Sequence, residues 1–195
     1  MSDKTVCLDW WGPYSLYEMN VPGRLLDAQG LYVLAFLYED RYFIHYVGET
    51  GGIDVGRNKT FLNRLAEHRY GHMVGPAGYN YCRYDPIAAR ERGRLPEEIK
   101  PSRDETCGTS GFCRFGEAWV KALSVFLAPL TGKTRADLEE MESAMCHYSW
   151  NMEPETVGRF HEKHRANRLS ELIQLECTFG QKTLVGFADR VSCRP

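Results

Sequence analysis

The sequence predicts an α/β (α+β) fold, with one domain over residues 29–195, an N-terminal extension over 1–28 and a long insertion over 71–118. Three observations carry this. Two apolar, aromatic stretches of strand length, Leu31 to Leu37 and Tyr42 to Val47, sit either side of a short polar turn. Two segments with helical spacing follow, around residues 61–71 and 134–150, with a third strand candidate at 119–130 between them. The length of 195 residues suits one domain better than two.

Residues 1–28 carry Trp10, Trp11, Tyr14 and Tyr17, which give an extension something to dock with. Leu31 to Leu37 is continuously apolar, and Tyr42 to Val47 is rich in aromatic and β-branched residues. With the Glu39-Asp40-Arg41 turn between them, they predict a hairpin. Gly51 to Lys59 is a loop with two cations, Arg57 and Lys59, suited to phosphate contact. Thr60 can cap a helix that starts at Phe61 and ends at Gly71. Its apolar stripe is Phe61, Leu62 and Leu65, while Arg64 and His68, four apart, share another face.

The insertion is longer than a compact domain usually allows without a function. It interleaves Tyr79, Tyr81 and Tyr84 with Arg83, Arg90, Arg92 and Arg94, a mixture that suits base stacking and phosphate contacts. In residues 134–150 the recurrence of Leu138, Met141, Met145 and Tyr148 predicts a helix. The stretch RLSELIQL (168–175) predicts a short amphipathic helix, and KTLVGFAD (182–189) a last strand.

Composition sets outer limits. A hydrophobic content of 43% can build a core, and 26% charged residues suit a soluble surface. No run approaches the roughly 18 apolar residues of a membrane span. The opening Met-Ser-Asp-Lys-Thr-Val lacks the apolar run of a signal peptide, so a cytoplasmic protein is expected. A net charge of -2 argues against a generic nucleic-acid coat, yet leaves room for an enzyme with a local basic face. The seven cysteines are scattered. Cys107 and Cys113 are the closest pair, but C-x-x-C spacing is missing, so reduced thiols are expected rather than zinc.

Gly30-Leu31-Tyr32 and Tyr46-Val47-Gly48, the latter followed by Glu49-Thr50, stand in two adjacent strands. Arg64 and His68 lie on the next helix, and Met141-Glu142-Ser143-Ala144-Met145 on a later one. In this order, over roughly residues 29–151, the chain resembles the GIY-YIG nuclease family. The resemblance implies a small mixed β-sheet flanked by helices and hydrolysis of DNA phosphodiesters with one Mg²⁺ (or Mn²⁺). It also implies catalytic roles for Tyr32, Tyr46, Arg64, His68, Glu142 and Asn151, with Glu142 as the metal ligand. DNA is the implied partner, and Arg57, Lys59, Arg83, Arg90, Arg92 and Arg94 are the candidate contacts.

The chain departs from the family pattern in a longer gap between the two tyrosines, in its insertion, and in the position of Asn151. Asn151 lies close after Glu142 and is better spaced from Glu139. Only Glu142, however, has apolar Met145 and Cys146 three and four positions later. Within the family, short stand-alone restriction enzymes are the nearest comparison, and a homodimer is then expected for double-strand cleavage. A structure-specific repair nuclease and a non-catalytic nucleic-acid- or protein-binding module are the rival readings.

The residue types suit the chemistry. Hydrolysis needs a water stripped of its proton, and a tyrosine, with an ordinary pKa of about 10, does this only when a nearby cation favours phenolate. Arg64 can supply that charge permanently, and His68 can relay a proton near neutrality. Charge developing on phosphate calls for a guanidinium and a metal. A carboxylate such as Glu142 holds Mg²⁺ while the ion keeps several waters. Two adjacent strands can aim both tyrosines at one phosphate.

Overall fold

The computed structural model describes residues 4–38, 41–55, 59–73, 120–151, 173–179, 184–185 and 190–193. The elements in chain order are β1 (Lys4–Ser15), α1 (Gly23–Leu26), β2 (Gly30–Tyr38), β3 (Arg41–Thr50), α2 (Phe61–Met73), β4 (Leu123–Pro129), α3 (Arg135–Asn151), β5 (Ile173–Phe179), β6 (Leu184–Val185) and β7 (Arg190–Cys193). They form an α/β fold around one seven-stranded sheet of order β6-β3-β2-β4-β1-β5-β7. The sheet is mixed: β1 runs parallel to β5 and β3 to β6, and the other pairs are antiparallel.

The continuous apolar run of β2 is explained by its place near the middle of the sheet, covered on both faces. Leu31, Val33 and Ala35 point to one side and pack with Met141, Ala144 and Met145 of α3. Tyr32, Leu34 and Phe36 point to the other and pack with Phe61 and Leu65 of α2 and Leu25 of α1. Each side is one core layer of a helix on a sheet.

The predicted hairpin is present, with β2 and β3 antiparallel and Tyr32 opposite Gly48. The register shifts once. Leu34 pairs with Tyr46, but Ala35 pairs with Ile44, so His45 is an extra residue on β3. Such a bulge reverses the alternation of sides. Tyr42 and Ile44 face the α3 side, whereas Tyr46 faces the α2 side beside Tyr32. A regular strand would have placed Tyr46 with Ile44, away from Tyr32.

The glycines of the two motifs have separate structural reasons. Gly30 has φ +148, and a side chain there would run into the backbone of Ala128 on β4. Gly48 lies beneath the ring of Tyr32, in the space a Cβ would need.

Both long helices match expectation closely. α2 starts at Phe61 and runs two residues past Gly71. α3 starts at Arg135 behind a capping box, in which Asp137 N–H donates to Thr134 Oγ1 at 3.2 Å and Thr134 N–H donates to Asp137 Oδ2 at 3.0 Å. The strand candidate at 119–130 becomes a helical turn at 120–122 followed by β4.

Three expectations are corrected. Residues 4–15, read as part of an extension over 1–28, are a strand between β4 and β5. Val6, Leu8 and Trp10 are buried, while Cys7, Asp9 and Trp11 between them are exposed, the period of a strand. Residues 173–175, read as part of a helix, belong to β5, which burial of Leu175 and Cys177 and parallel pairing with β1 hold extended. Of the predicted last strand, Leu184–Val185 forms β6, and β7 follows beyond it on the other edge. The insertion falls almost wholly outside the described residues.

Candidate active site

The hairpin and α2 bring four of the predicted residues together. Phe61 and Leu65 anchor α2 on the sheet with no exposed surface. That leaves Arg64 and His68, one helical turn apart, over the tyrosine pair. Arg64 Nε donates to the Tyr32 hydroxyl at 3.1 Å, and His68 Nε2 lies 2.6 Å from the same oxygen. The Tyr46 hydroxyl is also hydrogen-bonded to Tyr32. The ring of His68 stands edge-on to both phenols, its centroid 5.3 Å from that of Tyr32 and 5.2 Å from that of Tyr46, and the two phenol rings are 6.0 Å apart. The arrangement is satisfied when the Tyr32 oxygen accepts from Arg64 and Tyr46 and gives its own hydrogen to His68 Nε2.

Burial decides the ionisation of Tyr32. The residue has no exposed surface. Burial is the largest influence and pushes the phenol above the usual tyrosine range, and the charge of Glu142 pushes the same way. The charge and hydrogen bond of Arg64, and the hydrogen bond of Tyr46, oppose this but do not outweigh it. Arg64 does favour phenolate, as expected, but burial, which the sequence does not record, outweighs it and keeps Tyr32 protonated while the cluster is closed. For Arg64, burial works against the charge, but the Tyr32 oxygen, Glu67 and Tyr46 together fix the proton more firmly than usual.

Glu142 sits on α3 with only 1% of its surface exposed, a depth at which carboxylates are rare unless satisfied. Its influence on Tyr32 places it within electrostatic reach of the phenol. The competing acids differ. Glu139 forms an ion pair with Arg135 at 2.9 Å, and both Glu139 and Glu140 are half-buried. Asn151 is the last residue of α3, and its side chain lies outside the described residues.

A cleft opens beside the cluster, lined by Lys59, Arg64, Glu67, Glu49 and Arg135, with Thr50, Gly51, Val55 and Asn63 completing its wall. Lys59, a predicted DNA contact, is exposed there. The other predicted contacts, Arg57, Arg83, Arg90, Arg92 and Arg94, lie outside the described residues. Cys7, Cys146 and Cys177 form no disulfide, and no group of three or more His, Cys, Asp or Glu that could hold a metal occurs among the described residues.

The sequence reading missed Glu67 and Arg135. Glu67 pairs with Arg64 at 2.9 Å, and the signal was available, because i,i+3 neighbours on a helix meet. Arg135 enters the cleft through a tertiary contact: its backbone N–H donates to Asp54 Oδ1 at 2.7 Å, tying α3 to the loop after β3. No local pattern marks that contact. Comparison with known protein families, curated proteins and solved structures yields no match to this chain.

Proposed function

We propose that this protein is a metal-dependent DNA endonuclease of the GIY-YIG kind. One observation carries the reading: a buried phenol, Tyr32, bridges a guanidinium and an imidazole from one helix face, at 3.1 Å and 2.6 Å. The residues that do this are those of the Gly-Leu-Tyr, Tyr-Val-Gly and Arg-x-x-x-His pattern.

The arrangement suits proton relay. Because Tyr32 is neutral at rest, it does not act as a standing phenolate. It passes its hydrogen to His68 Nε2 as it receives one from the attacking water, so its oxygen never carries full charge. Arg64 lowers the cost of the charge that does develop, and Tyr46 holds the Tyr32 oxygen in line. His68 ends the step protonated, a state an imidazole reaches near neutral pH.

Glu142 would hold the metal. Mg²⁺ is held by one or two carboxylates together with substrate phosphate oxygens and several waters, so Glu142, within electrostatic reach of the phenol, would supply the protein's share of the donors. When bound, Mg²⁺ or Mn²⁺ supplies positive charge to the leaving oxygen. A homodimer is the form expected for cutting both strands, and a short restriction enzyme the nearest kind. A cytoplasmic setting fits a DNA substrate and cysteines outside disulfides.

The test is a digest of supercoiled plasmid with Mg²⁺, Mn²⁺ or chelator, followed by sequencing of the ends. Discrete metal-dependent products are expected from the wild type. Glu142→Gln is expected to bind DNA without cutting it, while Glu139→Gln and Glu140→Gln keep cutting. No cleavage by the wild type with either ion, together with DNA binding, would replace the reading with a non-catalytic binding module.

A further inference from the structure

The closed cluster raises the question of where a substrate phosphate enters. Tyr32 has no exposed surface, yet in the proposed reaction its hydroxyl must exchange a proton with water. Arg64 lies over it, with Nε on the Tyr32 oxygen and Nη1 on Glu67 Oε2 at 2.9 Å. The Arg64 and Glu67 side chains are 36% and 59% exposed, at the wall of the cleft. Glu67 thus places an oxyanion against one edge of the guanidinium, at the open side of the site. A phosphate uses the same edge, because guanidinium binds carboxylate and phosphate alike.

We propose that this cleft is a phosphodiester subsite whose place on Arg64 is held, in the free protein, by the carboxylate of Glu67, and that Lys59 and Arg135 secure the phosphate that displaces it. The inference rests on the endonuclease reading and names how its substrate enters. An exposed ion pair is weak, so Glu67 yields readily. A phosphate in the cleft gains Lys59 and Arg135, whereas among the described residues Glu67 is bonded to Arg64. Lys59, Arg64 and Arg135 stand on this wall beside Glu49 and Glu67, and Arg135 reaches the phosphate by giving up its exposed pair with Glu139 at 2.9 Å.

Arg135 is also well placed to act as a fixed contact. Ile53 N–H donates to the Lys133 carbonyl at 2.9 Å, and Arg135 N–H donates to Asp54 Oδ1 at 2.7 Å, so the loop after β3 and the start of α3 are tied into one wall. Preorganised groups lose less entropy when they bind. Phosphate on the Nη edge leaves Arg64 Nε on the Tyr32 oxygen, so one guanidinium holds the substrate beside the phenol.

The test uses Glu67→Gln, which keeps the shape and removes the negative charge, and Arg135→Gln. Inorganic phosphate is titrated while the Arg64 Nε–H resonance is followed by NMR. Binding of a short DNA duplex is measured with Ca²⁺ in place of Mg²⁺ across a salt series, and KM with Mg²⁺. In Glu67→Gln, phosphate is expected to shift the Arg64 signal at a roughly two- to fivefold lower concentration, the worth of an exposed pair. Kd and KM for DNA should fall by the same factor. Arg135→Gln should weaken DNA binding and reduce its salt slope by about one. Equal phosphate affinity in wild type and Glu67→Gln overturns the proposal, as does an unchanged salt slope in Arg135→Gln for the second half of it. If the wild type cuts no DNA, the phosphate titration still decides the cleft, and only the endonuclease reading falls.

Discussion

At the scale of single residues, the site depends on one glycine and one phenol. Gly48 leaves room for the Tyr32 ring, and a Cβ there would occupy the same space. Gly48→Ala is therefore expected to destabilise the protein by about 1–3 kcal/mol, as overpacking does, and to displace the hydroxyl from His68. Thermal unfolding measures the first effect and plasmid nicking the second, and an active Gly48→Ala of wild-type stability would count against the geometry. Tyr32 makes a prediction about pH. Its folded pKa is raised from an ordinary 10.0, so the folded state keeps a proton that the unfolded chain releases. That contribution is fully present below pH 10 and is lost as pH rises above it, at up to about 1.4 kcal/mol per pH unit. Urea unfolding between pH 9 and 11 should show a shallower alkaline decline in Tyr32→Phe than in the wild type. Equal slopes would mean the phenol ionises as easily folded as unfolded. The identity of these residues was legible because two short motifs and a helical spacing mark them. The ionisation of Tyr32 was not, because it is set by burial, and a sequence records neighbours in the chain rather than depth.

At the scale of elements, local signals carried as far as local causes do. The hairpin of β2 and β3, α2 and α3 were all legible, since alternation, apolar runs and capping residues act within a few positions. The cap of α3 illustrates this. Thr134 shares a reciprocal pair of hydrogen bonds with Asp137, and Thr134→Ala should cost about 1 kcal/mol, read as a lower denaturant midpoint with an unchanged slope. A loss well under half of that would assign the helix start to Asp54 alone. The bulge at His45 was illegible, because it is decided by how two strands pair and not by either strand. β5 was misread because Leu169, Leu172 and Ile173 recur at helical spacing, and its partner strand lies far away in sequence. β1 was missed although Val6, Leu8 and Trp10 alternate cleanly, because Trp11, Gly12 and Pro13 break the pattern and neither partner is near in the chain.

At the scale of the whole molecule, the charge is slightly acidic while the chemistry proposed for it needs DNA. The resolution lies in distribution. The cleft gathers Lys59, Arg64 and Arg135, and the insertion adds Arg83, Arg90, Arg92 and Arg94 in sequence. Replacing those four arginines with glutamine should weaken DNA binding and flatten its dependence on salt by about one unit for each phosphate they neutralise. An unchanged salt slope would show them to be solvated surface, and would leave recognition to the cleft.

The position of β1 has a further consequence, in the order of assembly. Lys4 pairs with Ile173 and Trp10 with Phe179, while Trp11 pairs with Leu127. Contacts of such long sequence separation form late and slow a chain's folding. During synthesis the hairpin of β2 and β3 can close as soon as it emerges, but β1, made before it, has no partner until β4 and then β5 have been made. Through that interval it presents an unpaired edge with Val6, Leu8 and Trp10 along one side, the kind of edge that invites association with another chain. Once seated, β1 is the strand that joins β6-β3-β2-β4 to β5-β7, so a deletion reaching Ser15 would divide the sheet in two and strip β4, the strand beside Tyr32, of its other partner.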